Sequence, residues 1–235
     1  NLKKQFKIIS RSIALIVFIY AMSVIIWVNL QINRFDKETS NLRGNGAFLA
    51  TTVAMEDGRF YQHRGLDWSA IHSALKTNIR EKKVVLGGST ITQQLAKNLF
   101  FSKERTLSRK IPEALAALVL ERRFSKQEIL NQYVHIIEYG MGRRGIDQAA
   151  QFYFHTTPDQ LTLAQSAVLV SMVPYNPQTW PSRECLESGR ETALARLDFW
   201  FPGKYSRKEI EEARQTPLEK VLPGWPSDQQ KAPNL

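Results

Sequence analysis

The first feature of the hydrophobic pattern is one unbroken apolar run. Residues Ile13 to Leu30 read IALIVFIYAMSVIIWVNL without a charge, close to the ~20 residues that span a bilayer as a helix. Lys3, Lys4, Lys7 and Arg11 precede it, so the positive-inside rule keeps the N-terminus in the cytoplasm and sends the rest of the chain outside. A cleaved signal peptide would end on small residues, whereas the bulky, charged QINRFDKE follows here. The pattern predicts a basic cytoplasmic N-terminus over 1–12, a transmembrane helix over 13–32, and a polar, turn-rich linker over 33–46.

From Ala47 onward the apolar spacing is helical almost throughout. Asp67 can cap a helix over 69–80, and a second helix holds Thr90 to Asn98. A third runs from Pro112 to Arg123. Ser125 with Glu128 has capping-box spacing and opens a fourth. Thr157, Pro158 and Gln160 read as a further helix start, with proline at the first helical position. Ser206 with Glu209 repeats the capping pattern. The strand signal at Val84-Val85 is too short to matter, and no internal repeat is present. The segment 217–235, rich in Pro, Gln and Lys, is expected to be an irregular tail. The expectation is one all-α domain over 47–216 behind one membrane helix.

Composition narrows the partners. The chain of 235 residues carries a net charge of +10, which suits nucleic acid, an anionic membrane surface or a phosphorylated substrate. It has no zinc-finger spacing, RNP motif or basic-aromatic strand pattern, and its placement outside the cytoplasm argues against nucleic acid. Cys185 is the only cysteine, so no intramolecular disulfide or multi-cysteine metal site can form. His63 and His72 lack metal-ligand spacing and read as structural. His135 and His155 carry no triad signature, and no serine sits in a G-x-S-x-G elbow.

Three stretches carry candidate chemistry. Glu56 and Asp57 are adjacent acids at the end of an apolar run, just before Gly58. Apolar neighbours and a second acid disfavour a carboxylate's charged form, which suits a general base near neutrality. An acidic turn facing solvent, paired with Arg59 or Arg64, is the plainer alternative. Glu113 opens a segment that is apolar on every face from Ala114 to Leu120, the pattern of a buried helix. Arg109 and Lys110 precede it, so the set can bind phosphate or a metal, or simply complement the helix dipole. The stretch GGSTITQQLAKNLF, from Gly87 to Phe100, gathers hydroxyls, amides and a lysine beyond what a core helix needs.

The stretches EDGRFYQHRG, GGSTITQQLAKN, RKIPE, SKQEIL and GIDQAAQFYF occur in this order. Together they resemble the five motifs of the peptidoglycan glycosyltransferases, glycosyltransferase family 51, over roughly 47–180. A membrane helix before the motifs and no second catalytic domain after them resemble the monofunctional biosynthetic transglycosylases. The resemblance implies a lysozyme-like all-α fold with a smaller membrane-associated lobe. It implies an inverting hexosyl transfer that polymerises lipid II into glycan strands and releases undecaprenyl pyrophosphate.

By the same resemblance Glu56 is the general base and Asp57 the acid that supports it. Glu113 assists pyrophosphate departure, directly or through a divalent metal. Ser89, Thr90, Gln93, Gln94, Lys97 and Asn98 line the cleft and contact sugar and phosphate, with Arg105, Arg109 and Lys110 near the phosphates. No obligatory cofactor is implied; a divalent metal, Mg or Mn, is admitted with Glu113 as its candidate ligand. The physics fits: fixed cations stabilise the charge that develops on a leaving pyrophosphate, and two acids in different environments suit an inverting displacement. The implied partners are lipid II, the growing strand, membrane lipids, and other cell-wall synthesis and division proteins. The implied place is the bacterial cytoplasmic (inner) membrane, single-pass, with the catalytic domain on the periplasmic side. Asn98-Leu99-Phe100-Phe101 can touch acyl chains or pack in the core.

Three positions depart from the family pattern. His135 replaces asparagine in the fourth motif, Pro112 replaces a polar or basic residue, and Arg143-Arg144 replace neutral or aromatic groups. Two other functions stay in view, the first of them because of these departures. One is a non-catalytic scaffold that binds lipid II, against which the retention of both Glu56 and Glu113 speaks. The other is a lytic transglycosylase or lysozyme-like hydrolase, which would need neither GSTITQQLAKN nor a cation cluster.

Overall fold

The computed structural model describes residues 2–32, 44–83, 87–101, 109–174 and 178–223. In chain order the helices are α1 (Leu2–Leu30), α2 (Gly46–Glu56), α3 (Trp68–Glu81), α4 (Ile91–Phe100), α5 (Lys110–Arg123), α6 (Lys126–Ile136), α7 (Ile146–Phe154), α8 (Leu163–Met172), α9 (Arg183–Trp200), α10 (Arg207–Gln215) and α11 (Leu218–Val221). Among the described residues there is no strand, only an isolated bridge between Glu138 and Arg144, and the chain is all-α. It packs as two compact units. One comprises Asn1–Asp36 and Arg64–Ser125, the other Lys37–His63 and Lys126–Leu235.

In the first unit, α1 is long and apolar enough to cross a membrane. It begins well before Ile13 and runs through all four basic residues of the N-terminus. Its last turns pack against α5. Val28 is buried, Arg123 donates to Asn29 Oδ1 at 2.8 Å, and the Trp27 ring meets Phe100 edge-on at 6.2 Å and Phe101 at 5.7 Å. Phe100 is buried, while Leu99 and Phe101 are half-buried.

Asp67 caps α3 by accepting from the Ala70 N–H at 3.0 Å. The helix α5 departs from the expectation that it is buried on every face. Glu113, Ala116, Ala117 and Leu120 form a buried stripe, while Ile111 and Leu118 are exposed. An apolar composition does not distinguish an inner from an outer face; the i, i+3, i+4, i+7 contacts of packing do.

In the second unit, Asn45 caps α2 through a hydrogen bond from Phe48 N–H at 3.0 Å, and Phe48 to Ala54 are all buried. The helices α8 and α9 flank α2. Their own crossing is close: a Cβ on Gly189 would lie 2.6 Å from Ser171 Oγ. Ala50, Ala54 and Leu197 make a core against which Leu163, Trp200, Phe201 and Tyr205 pack.

The helix start read at Thr157 and Pro158 is a single 3-10 turn, Pro158–Gln160. The α-helix begins one turn later, where Thr162 and Gln165 form a full capping box. Ser206 and Glu209 form the one expected at α10. In the segment read as an irregular tail, Leu218–Val221 makes a one-turn helix with Leu218 and Val221 buried. Val84-Val85 and most of the 33–46 linker lie outside the described residues.

Candidate active site

Glu56 is the last residue of α2 and is half-buried. The chain leaves the helix at Asp57, whose N–H still bonds Val53 O at 2.9 Å. Asp57 is buried, and both its carboxylate oxygens lie 3.0 Å from His63 Nε2. Arg196 donates to Met55 O at 2.6 Å and ties this helix end to α9. Gly58 sits under the Trp200 indole, where a Cβ would lie 2.1 Å from the ring.

Two buried phenols report on the charge here. Tyr133 and Tyr139 are fully buried. Burial pushes both hydroxyls well above their ordinary value of 10.0, and the Glu56 charge pushes them further in the same direction. Asp57 adds to the effect at Tyr133 and Asp147 at Tyr139.

In the other unit, Gly88 is pressed against α3, with a Cβ there only 3.1 Å from Ile71 Cα. The chain turns at Thr90 into α4. Thr90 Oγ1 accepts from Gln93 N–H at 3.1 Å, Gln93 Oε1 accepts from Thr90 N–H at 3.0 Å, and Thr90 Oγ1 donates to Gly65 O at 2.6 Å. Both side chains are buried and their polar groups close the cap. Ser89, Gln94, Lys97 and Asn98 are half-buried, and Asn98 Nδ2 donates to Gln94 O at 3.0 Å. Thr92 Oγ1 donates to Glu121 Oε1 at 2.6 Å, linking α4 to α5.

Glu113, in the first turn of α5, is 1% exposed. Arg109 Nε lies 2.5 Å from one of its oxygens and Lys110 Nζ 3.1 Å from the other. The Lys110 ammonium also donates to Ser89 Oγ at 3.1 Å. Ser89, Arg109, Lys110 and Glu113 are thus brought together, joining two motifs far apart in sequence. A divalent ion does not fit Glu113 in this arrangement, since each carboxylate oxygen faces a cation. Arg105 lies outside the described residues.

Sequence reasoning missed the Asp57–His63 pairing, although a six-residue offset across a glycine turn was its available signal. It also missed the Arg143 guanidinium over the Phe152 ring, 4.2 Å from its centroid, for which the sequence holds no periodic signal.

Fold and site define a class: an all-α chain, led by a helix of membrane-spanning length, with motif acids placed at helix ends. Comparison with known proteins then places the chain in the transglycosylase family, whose sequence model matches residues 37–198. It is 45% identical over 131 residues to the biosynthetic peptidoglycan transglycosylase of Acinetobacter baylyi, covering 56% of this chain and 58% of that protein. The protein of the same name from Nitrosomonas eutropha is 48% identical over 145 residues, 62% of this chain and 58% of the other. Penicillin-binding protein 1A of Aquifex aeolicus is 42% identical over 170 residues, 71% of this chain and 23% of that one. The chain spans a little over half the length of the biosynthetic transglycosylases it matches.

Proposed function

We propose that this chain is a membrane-anchored peptidoglycan glycosyltransferase that polymerises lipid II, with Glu56 as general base. In the proposed step the acceptor sugar's 4-hydroxyl oxygen bonds to the donor's anomeric carbon while Glu56 takes its proton. The bond from that carbon to the pyrophosphate oxygen breaks, and its electron pair leaves with undecaprenyl pyrophosphate. Asp57, fixed by His63, holds the turn that carries Glu56. Arg109 and Lys110 face the departing phosphates, with Arg105 as a third cation, and Glu113 fixes the first two by pairing with them. No step passes through a metal. Thr90 and Gln93 hold the helix start from which Ser89, Gln94, Lys97 and Asn98 reach sugar and phosphate oxygens.

The observation that carries this reading is the set Ser89–Lys110–Glu113–Arg109, in which Glu113 is ion-paired to Arg109 and Lys110 and Lys110 hydrogen-bonds Ser89. A buried carboxylate organises two cations there, one of them half in solvent (Lys110, 55% exposed). Cations preorganised in this way stabilise charge that appears only as the leaving group departs. The α1 helix supports the rest: a single-pass anchor in the bacterial cytoplasmic membrane, N-terminus inside, catalytic residues on the periplasmic side. The partners on this reading are lipid II, the growing strand, membrane lipids, and other proteins of cell-wall synthesis and division.

The test is polymerisation of labelled lipid II by the purified full chain beside Glu56→Gln. Strand growth by the wild type and none by the variant is expected. Fragment release from mature cell wall without polymerisation would make the chain a lytic enzyme, and binding without turnover a scaffold.

A further inference from the structure

The tip between α6 and α7 is a tight hairpin. Arg143 N–H bonds Gly140 O at 2.9 Å and Tyr139 N–H bonds Arg143 O at 2.8 Å. Met141 and Gly142 have φ of +53° and +70°, the two positive values of a type I′ turn. The turn throws its two arginines to different tasks. Arg144 Nε donates to Ile136 O at 2.8 Å and finishes the end of α6.

Arg143 instead lies over the Phe152 ring, with Cζ 4.2 Å from the centroid. Phe152 stacks on Trp180 at 6.1 Å and 17°, and Tyr153 meets Trp180 edge-on at 5.4 Å. The Tyr153 hydroxyl donates to Tyr139 O at 3.1 Å, fixing the ladder to the hairpin. The Arg143 Nε is buried and makes no hydrogen bond among the described residues, while Arg143, Phe152 and Trp180 are all half-buried rather than sealed in. A buried donor left unmet is costly unless a ligand meets it. Contact with the ring restricts the side chain before any ligand arrives, which reduces the freedom lost on binding.

We propose that Arg143, seated on Phe152, is a carboxylate-binding subsite that takes the free end of a peptide borne on the sugar. The planar guanidinium matches a carboxylate through two parallel hydrogen bonds. The exposed parts of Phe152 and Trp180 offer an apolar bed for the sugar or peptide beside it. The identity of this ligand rests on the proposed function, because the substrate there is a disaccharide-peptide and a peptide attached by its other end terminates in a carboxylate.

The test is calorimetric binding of a soluble muramyl peptide to the full chain in detergent, with the peptide as free acid or as C-terminal amide. The wild type should bind the acid about tenfold more tightly than the amide, the scale of a charge-assisted pair. Arg143→Gln should bind the two alike, and Arg143→Met, which keeps an unbranched chain over the ring, serves if the glutamine variant does not fold. Arg143→Lys should keep only part of the preference, since an ammonium has no fork. Equal affinity in the wild type overturns the subsite, as does a full preference in the glutamine or methionine variant. Displacement by inorganic phosphate at lower concentration than by acetate overturns the carboxylate assignment. Lipid II polymerisation by the wild type is scored separately: its absence counts against the proposed function and leaves the acid-against-amide comparison readable.

Discussion

Glu113 and Glu56 are both motif acids at helix ends, and their surroundings are opposites. Glu113 occupies the first turn of α5, where the dipole favours negative charge, and two cations face it. Glu56 is the last residue of α2, where the dipole disfavours negative charge. A second acid, Asp57, follows it in the chain, and the Glu56 charge raises the hydroxyls of two buried phenols. One carboxylate lies between two cations, the other beside a second acid. On the proposed function two acids alike in sequence would do different work, and each sits at a different end of its helix.

The largest expected effect breaks the Glu56 half of this contrast. Glu56→Gln should lower lipid II polymerisation by about 10²–10⁴, the usual loss for a general base. Undiminished turnover would remove Glu56 from the base role. The same variant has a readout independent of activity. Because the Glu56 charge raises the Tyr133 and Tyr139 hydroxyls, the variant should ionise these phenols at lower pH in an ultraviolet titration. An unchanged tyrosine titration would separate Glu56 from that field.

Glu113→Gln should act on stability as well as turnover. It removes the carboxylate that faces Arg109, 13% exposed, and breaking a buried pair costs about 3–5 kcal/mol. Lys110 is 55% exposed, so Lys110→Met should cost no more than about 1 kcal/mol when both variants are unfolded in urea. Equal losses in the two variants would show that burial does not set the strength of this pair. Gly58→Ala disturbs the Glu56 end without altering any charge. Its Cβ meets the Trp200 indole, an overpacking that costs about 1–3 kcal/mol. Trp200→Leu in the same chain should recover part of that loss.

Alkaline pH tests the phenols collectively. Tyr153 is pushed up to about 12 by burial, against the lowering pull of Arg143, and Tyr133 and Tyr139 are raised as well. A hydroxyl with a raised folded-state pKa keeps its proton after the unfolded chain has lost it. Its stabilisation is therefore fully present below pH 10 and is lost as pH rises through the folded value. Tyr153→Phe should make the alkaline decline of the denaturation midpoint shallower; an unchanged decline would remove Tyr153 from it.

Much of this was legible in the residues. Asp67 and Ser206 marked helix starts because an N-cap is a local bond between a short side chain and a backbone only a few residues away. Pro158 misled because proline is equally at home in an isolated 3-10 turn, and the full box at Thr162 and Gln165 lay one turn further on. The α9 helix went unread because its buried positions, Leu186, Gly189, Ala193, Leu194 and Leu197, are interleaved with charges and include a glycine. The five motifs, with Glu56 and Glu113 among them, were visible as strings of residues. That Glu113 is held by Arg109 and Lys110, that His63 pairs with Asp57, and that Arg143 rests on Phe152 depend on how helices and turns face one another, which no local pattern encodes.

The smallest expected effect concerns the scaffold on the Glu113 side. Thr90→Ala removes the acceptor for Gln93 N–H and the donor to Gly65 O, and loss of such a cap costs about 1 kcal/mol. Thr90→Ser keeps a hydroxyl at the same position and should cost less. If Thr90 served only to cap α4, the two variants would lose stability in that order while turnover fell no further than the folded fraction. If its hydroxyl also touched substrate, the alanine variant would lose turnover beyond its loss of folded protein, and the serine variant would restore it. Turnover corrected for folded fraction therefore decides whether Thr90 belongs with the groups that hold α4 in place or with those that meet sugar and phosphate.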